Sequence, residues 1–357
     1  MSFKIGLEAS SSLSNRLSGI QRYIIELSSA LSKISQNNSE YKIELCYKGS
    51  RIKKAGLRPE ARLPHKWYWP FPGFTLRRYD LVHALDTTLP FPLPQKLICT
   101  VHDLFSLKVE GYSRPKFREK KKRAYEQIIQ NCLGVIVPSL STKKDLVESF
   151  NYPESKVFVV PHGVHPSFFS KITSEDVCVS YDCLSKPYIL AFGGRERKNF
   201  FRVIKAYFAA GLEKDYSLAV VGNMDIESRY FVQQRKAIQG IKELGRVADD
   251  LMPGLYKDAA MLCFPSLYEG FGLPVIEAMA AETPVLTSNI GATADIGHNH
   301  AVLVDPMSVS EIASGMQKAL HLDKVKLKKA GMYARRYTWE KAAINTREIY
   351  KSLLQSE

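Results

Sequence analysis

Pro265-Ser266-Leu267-Tyr268-Glu269-Gly270-Phe271-Gly272-Leu273-Pro274-Val275-Ile276-Glu277-Ala278-Met279-Ala280 follows four apolar residues, Met261 to Phe264, that read as a buried strand. Gly270 and Gly272 mark a turn where backbone approaches something closely. Pro274 suits the first turn of a helix, because its missing N–H would have no partner there anyway. The run is therefore strand, turn, helix. The amides of Phe271, Gly272 and Leu273 are expected to point out of the helix amino end, at the carboxyl edge of a parallel sheet. Such an edge receives an anion or a row of hydroxyls. Glu269 stands before the helix and Glu277 is placed in its first turn, so both carboxylates can reach one polyhydroxyl ligand, and Glu277 suits ribose hydroxyls. Two acids near a helix start can also simply complement its dipole; the glycine turn between them favours the ligand reading.

Outward from this stretch, apolar strands alternate with helical periodicity along the whole chain. Toward the amino end, strands are predicted at Phe3–Ala9, Tyr41–Tyr47, Leu81–Ala84, Leu97–Val101, Gly134–Val137 and Val157–Val160, with helices at Gly19–Ser35 and Lys116–Cys132. A polar stretch without periodicity, residues 166–186, reads as a linker. The alternation then restarts with strands at Tyr188–Phe192, Ser217–Val221, Met261–Pro265, Pro284–Thr287 and Ala301–Val304 and a helix at Asn199–Ala210. Strand–helix alternation implies parallel sheets. The expected fold is α/β: two Rossmann-like, doubly wound domains facing across a cleft. The expected division is 1–165, linker 166–186, 187–339, and a last helix over 340–357.

The 357 residues are 45% apolar and 24% charged, which excludes a disordered or collagenous chain. No apolar run approaches the ~18–20 residues of a membrane helix, and Glu8 interrupts the amino end too early for a signal peptide. A cytoplasmic location is expected. The six cysteines (Cys46, Cys99, Cys132, Cys178, Cys183, Cys263) show no Cys-x-x-Cys pair and read as reduced thiols. Lys and Arg number 50 against 36 Asp and Glu, a net charge of +14. Most of the excess is local: +7 over Arg51–Arg78 and +5 over Glu110–Arg123. No nucleic-acid motif accompanies this charge, so a nucleic-acid partner is not expected.

Three further stretches lie at predicted carboxyl edges. Gly193-Gly194-Arg195-Glu196-Arg197-Lys198-Asn199 joins a strand to a helix, with Asn199 as a helix cap and Arg195, Arg197 and Lys198 as cations for a diphosphate. Cys99-Thr100-Val101-His102-Asp103-Leu104 places His102 at a strand end, and no second set of His ligands suggests a metal. Gly19 opens the first helix within Ser18-Gly19-Ile20-Gln21-Arg22-Tyr23.

Together these stretches resemble the retaining glycosyltransferases of the GT-B fold, family 4, in the mannosyltransferase-like branch that builds bacterial surface polysaccharides. Val160-Pro161-His162-Gly163-Val164, Leu255-Tyr256, Val304-Asp305-Pro306 and Tyr337-Thr338-Trp339-Glu340 extend the likeness along most of the chain. The resemblance implies that Glu269 contacts the donor sugar, with the Phe271, Gly272 and Leu273 amides nearby. It implies that Glu277 holds the ribose, and that Arg195 or Arg197 holds the diphosphate with Lys198. Gly19 would approach the same phosphates, His102 would touch the transferred sugar, Val247 would lie beside the base, and the last helix would cross back onto the first domain. The sequence departs from the pattern at Glu282, where relatives often carry glycine, at Asp295, and at Gly297-His298-Asn299-His300.

The implied reaction moves a hexose, mannose first, from a nucleotide-diphosphate sugar to a glycan or lipid-linked acceptor. It needs no cofactor and no divalent metal. A nucleotide-sugar hydrolase or epimerase on the same fold is the alternative. The aromatic–basic stretch Trp67-Tyr68-Trp69-Pro70-Phe71-Pro72-Gly73-Phe74, flanked by Lys66 and Arg77-Arg78, reads either as peripheral membrane contact or as an acceptor loop.

Overall fold

The structure, a computed structural model, describes residues 2–13, 18–36, 40–57, 63–71, 75–109, 111, 113–170, 187–235 and 240–355. Most of the expected linker (171–186), with Cys178 and Cys183, lies outside the described residues, as do Gly73 and Phe74. The chain divides into two compact units, Met1–Gly163 with Tyr337–Glu357, and Val164–Arg336.

The first unit is built on strands β1 (Phe3–Glu8), β2 (Tyr41–Lys48), β3 (His65–Tyr68), β4 (Leu81–Ala84), β5 (Leu97–Thr100), β6 (Gly134–Val137) and β7 (Val157–Val159). They form one sheet in the order β3-β2-β1-β4-β5-β6-β7. Every pairing is parallel; Ile5, for example, faces Ile43 on β2 and Leu81 on β4. Strands covered on both faces read as continuous apolar runs, which is why β4, β5 and β6 are buried at every position. Helix Gly19–Gln36 buries Tyr23, Ile24, Leu27 and Leu31 against this sheet. Helix Trp339–Gln355, the last in the chain, adds Trp339, Ala342, Ala343, Ile349, Tyr350 and Leu354 to the same core. With the buried Thr346 between them, these positions recur every three or four residues and make one stripe.

The second unit holds β8 (Tyr188–Phe192), β9 (Ser217–Val221), β10 (Ile241–Gly245), β11 (Met261–Phe264), β12 (Val285–Ser288) and β13 (Val302–Val304). Their order is β10-β9-β8-β11-β12-β13, again parallel throughout. Helix Phe200–Ala209 turns Phe200, Val203, Ile204 and Tyr207 onto it, and helix Val309–Leu320 adds Ile312 and Met316. In each sheet the strand order reverses once, between β1 and β4 and between β8 and β11. Ligands of open parallel sheets settle outside the carboxyl ends of strands at such reversals.

Two strands were not anticipated from the sequence, β3 and β10, both at sheet edges. The first explains the aromatic–basic stretch. Trp67 packs on Tyr47 with ring centroids 5.5 Å apart, Tyr68 is buried, and Trp69 fills the space in front of Gly49. Among the described aromatic side chains of that stretch, Phe71 alone is largely exposed, at 62%. Trp67 and Tyr68 pack into the cores of the first unit. Glu282 adopts a left-handed φ of 58°, a conformation that glycine takes freely.

Candidate active site

The reversal between β8 and β11 carries an ionic cluster of the second unit. The turn after β8 begins with Gly193, where a Cβ would lie 2.5 Å from the Asn223 carbonyl oxygen, so no larger residue fits. A short 3-10 turn, Glu196–Lys198, follows, and Asn199 precedes helix Phe200–Ala209. Asn199 does not cap that helix in the expected way. It has a left-handed φ of 60°, and its side-chain amide donates to the carbonyls of Pro265 (2.9 Å) and Pro306 (2.6 Å). The loop after β11 is sewn to the same turn: the Leu267 N–H donates to the Arg197 carbonyl at 2.8 Å, and the Ser266 hydroxyl lies 2.8 Å from that oxygen. Two loops distant in sequence thus behave as one rigid edge.

This stitching brings Arg197, Lys198 and Glu269 together. Lys198 Nζ donates to Glu269 Oε1 at 2.9 Å, and Arg197 Nη1 donates to Glu269 Oε2 at 3.1 Å. The Ser266 hydroxyl lies 2.8 Å from Oε1. The three side chains are only 14%, 15% and 9% exposed. The Lys198 ammonium also sits over the Phe264 ring, 4.4 Å from its centroid, and 5.8 Å from that of Phe192. Burial opposes the charge on Glu269, yet Lys198 and Arg197 outweigh it and hold the carboxyl below its ordinary range. For Lys198 burial leads, Glu269 resists and Arg197 reinforces, so the ammonium is drawn below its usual value. Glu269 thus faces two largely buried cations at once. Cations held in such a site favour an oxyanion.

Of the two arginines that the sequence could not separate, the structure groups Arg197 with Lys198 and Glu269, while Arg195 is exposed. Gly272 has φ 98° and precedes helix Leu273–Ala280. Phe271 is buried. Glu277 is the fifth residue of that helix, not part of its first turn as the sequence suggested. It is 4% exposed and accepts a hydrogen bond from the Tyr256 hydroxyl at 3.1 Å. Tyr256, buried in helix Met252–Lys257, was quoted from the sequence but given no role. Val247 is buried just beyond β10. Among the described residues no group of three or more His, Cys, Asp or Glu side chains is arranged to hold a metal ion.

The first unit holds the other two expected residues. His102 follows β5. Its Nε2 lies 3.0 Å from the Leu85 carbonyl oxygen, which can only accept, so that nitrogen carries the proton and Nδ1 is left as an acceptor. Burial lowers its pKa, and the Tyr23 ring meets it edge-on with centroids 4.7 Å apart. Gly19 opens its helix with nothing within 4 Å of where a Cβ would be. Packing in the first unit therefore does not demand a glycine there. Ser18 and Gln21 bond reciprocally, Ser18 N–H to Gln21 Oε1 at 2.9 Å and Gln21 N–H to Ser18 Oγ at 3.3 Å. This capping box was readable from the three-residue spacing. Sequence reasoning missed the buried relay behind it. Tyr23 OH meets Thr100 Oγ1 (2.9 Å), Thr100 Oγ1 meets His83 Nε2 (2.8 Å), and His83 Nδ1 meets Tyr350 OH (2.7 Å).

Residues 184–337 match the family described as Glycosyl transferases group 1, and residues 17–168 match Glycosyltransferase Family 4. The chain is a family 4 glycosyltransferase of the GT-B fold. This glycosyltransferase is 27% identical over 295 residues to the O-antigen chain mannosyltransferase B of Escherichia coli, covering 79% of this chain and 77% of that protein. Its fold is similar to that of a sucrose-phosphate synthase from Thermosynechococcus elongatus (TM-score 0.72, 19% identity, 99% of this chain and 100% of that one). It is likewise similar to the HepE protein of Anabaena solved with UDP-glucose (TM-score 0.70, 16% identity, 98% and 100%).

Proposed function

We propose that this glycosyltransferase moves a hexose, mannose first, from a nucleotide-diphosphate sugar to a glycan or lipid-linked glycan during surface polysaccharide synthesis, with retention at the sugar carbon. The observation that carries the reading is the pair of largely buried cations, Arg197 and Lys198, held together at the β8/β11 reversal. The O-antigen mannosyltransferase relationship supports the choice of sugar and product.

As the sugar–phosphate bond breaks, negative charge grows on the departing diphosphate. Lys198 and Arg197 already stand in a water-poor pocket, so they stabilise that charge without reorganising, and no divalent cation or cofactor is called for. Glu269 and the backbone of Phe271, Gly272 and Leu273 are assigned to the sugar. Glu277, steadied by Tyr256, is assigned to the ribose, and Val247 to the base. Gly19 is assigned to the phosphates, where its open side admits close approach. His102 is a neutral imidazole whose Nδ1 accepts a hydrogen bond from a sugar hydroxyl; it positions and does not donate a proton. The leaving phosphate takes the acceptor's proton on the face it vacates, which gives retention. Binding to an anionic bilayer is assigned to the Lys- and Arg-rich helix Pro115–Asn131, where Phe117 is half exposed; failure to sediment with anionic vesicles at low salt would remove that part alone.

The test is calorimetric titration with GDP-mannose, UDP-glucose and UDP-N-acetylglucosamine, followed by NMR of the product formed with a mannosylated acceptor. GDP-mannose binding and an α-linked product are expected. Binding of none of the three, or sugar release without transfer, would overturn the reading.

A further inference from the structure

Glu269 stands where an oxyanion would be welcome. Each of its oxygens already meets a cation, Lys198 on Oε1 and Arg197 on Oε2, and Ser266 supplies a further contact to Oε1. The cations themselves are anchored from other sides. Lys198 rests over the Phe264 and Phe192 rings, the Arg197 backbone is pinned through Leu267 and Ser266, and the Arg197 guanidinium also reaches the Tyr268 carbonyl at 3.5 Å. An arriving diphosphate therefore meets two fixed cations and one resident carboxylate, and the group able to yield is the carboxylate.

Resting on the donor assignment above, we propose that Glu269 is an internal counter-anion that competes with the donor diphosphate for Lys198 and Arg197. Diphosphate binding then releases its carboxylate to accept hydrogen bonds from the sugar hydroxyls. The physical reason is the cost of a buried cation without a partner, which is far larger than the gain from pairing it well. The resident carboxylate keeps the site assembled. The affinity of a diphosphate is consequently a difference between two oxyanions on the same cations, smaller than its own contacts would give. Sugar recognition becomes conditional, because the sugar's partner is engaged until the diphosphate has displaced it. A free hexose meets an occupied carboxylate; a nucleotide sugar brings the displacing group with it.

The test compares wild type with Glu269→Gln, which keeps the shape and removes the charge. GDP, UDP and inorganic pyrophosphate are titrated calorimetrically at low salt, and the melting temperature is recorded with and without each. Glu269→Gln is expected to bind pyrophosphate, and whichever nucleoside diphosphate wild type prefers, at least about threefold more tightly. The gain should shrink in high salt, which screens charge competition. Its ligand-induced rise in melting temperature should exceed that of wild type, and the intact nucleotide sugar should gain less than the nucleoside diphosphate, since the sugar contact is weakened. Glu269→Asp, with its charge withdrawn by one methylene, should fall between and serves if the amide variant does not fold. Equal or weaker diphosphate binding by a folded variant overturns the competition while leaving the donor assignment standing. Failure of wild type itself to bind any of the three probes overturns the donor assignment.

Discussion

Removing the Lys198 ammonium leaves Glu269 with a single cation and a diphosphate with one partner fewer. A charge-assisted hydrogen bond in a buried site is worth about 1.5–3 kcal/mol, so Lys198→Ala should weaken nucleotide-sugar binding by about ten- to a hundredfold, read by calorimetry. Arg195→Ala, at an exposed position, should cost far less in the same titration. The types of residue in this pocket were legible in the sequence, because a Gly-rich turn, two carboxylates and a run of cations have few structural uses together. Their pairing was not. Whether Arg195 or Arg197 faces Glu269 depends on the 3-10 turn and the left-handed Asn199, and on the Leu267 N–H donating to the Arg197 carbonyl across seventy residues of sequence. Tyr256 escaped for the same reason: a tyrosine in a short helix carries no mark of the buried carboxylate it will hold.

Among whole elements, the last helix depends on more than its apolar stripe. Tyr350 reaches His83 on β4 through a 2.7 Å hydrogen bond inside the first core. Tyr350→Phe leaves that imidazole nitrogen without its partner, an expected loss of about 1–3 kcal/mol in urea-induced unfolding, with the Arg197–Lys198–Glu269 cluster of the second unit unaffected. Central strands were readable because burial on both faces selects unbroken apolar runs, as in Met261–Phe264. The edge strands β3 and β10 were not. A strand with one neighbour can carry charge on its free side, and Ile241-Lys242-Glu243-Leu244-Gly245 does so, with a break in register between Glu243 and Gly245. The rings about Trp67 show the same limit: Trp67 and Tyr68 lie on the edge strand β3 while Phe71 is exposed, a division that the letters alone do not reveal.

Across the molecule, stability should follow pH through buried groups of opposite sense, a carboxyl on one side and histidines on the other. Burial raises the Glu8 carboxyl from 4.5 to about 7, although Ser10 and Tyr68 donate to one of its oxygens. Its folded form favours the proton, so its contribution is complete below pH 4.5 and is lost as pH rises through 7. Burial lowers His83 from 6.5 to about 3. Its folded form rejects the proton, so its contribution is complete above pH 6.5 and is lost as pH falls toward 3. Burial also lowers His102 and His162, so between pH 4.5 and 6.5 the histidines together outweigh Glu8 and the unfolding free energy should rise with pH, with the Glu8 loss left to act toward neutral pH. Glu8→Gln should match wild type near pH 5 and exceed it by on the order of 2 kcal/mol at pH 8 in urea melts; equal curves at both pH values would reject this account. Residues 337–357 complete a core begun by residues 1–163, with the second unit threaded between them. On the ribosome, at about 5–20 residues per second, the groove on helix Gly19–Gln36 therefore waits about 10–40 s for the helix that closes it. The interposed unit can finish folding first, and the newborn amino-terminal half spends that interval as the part of the chain most in need of a chaperone.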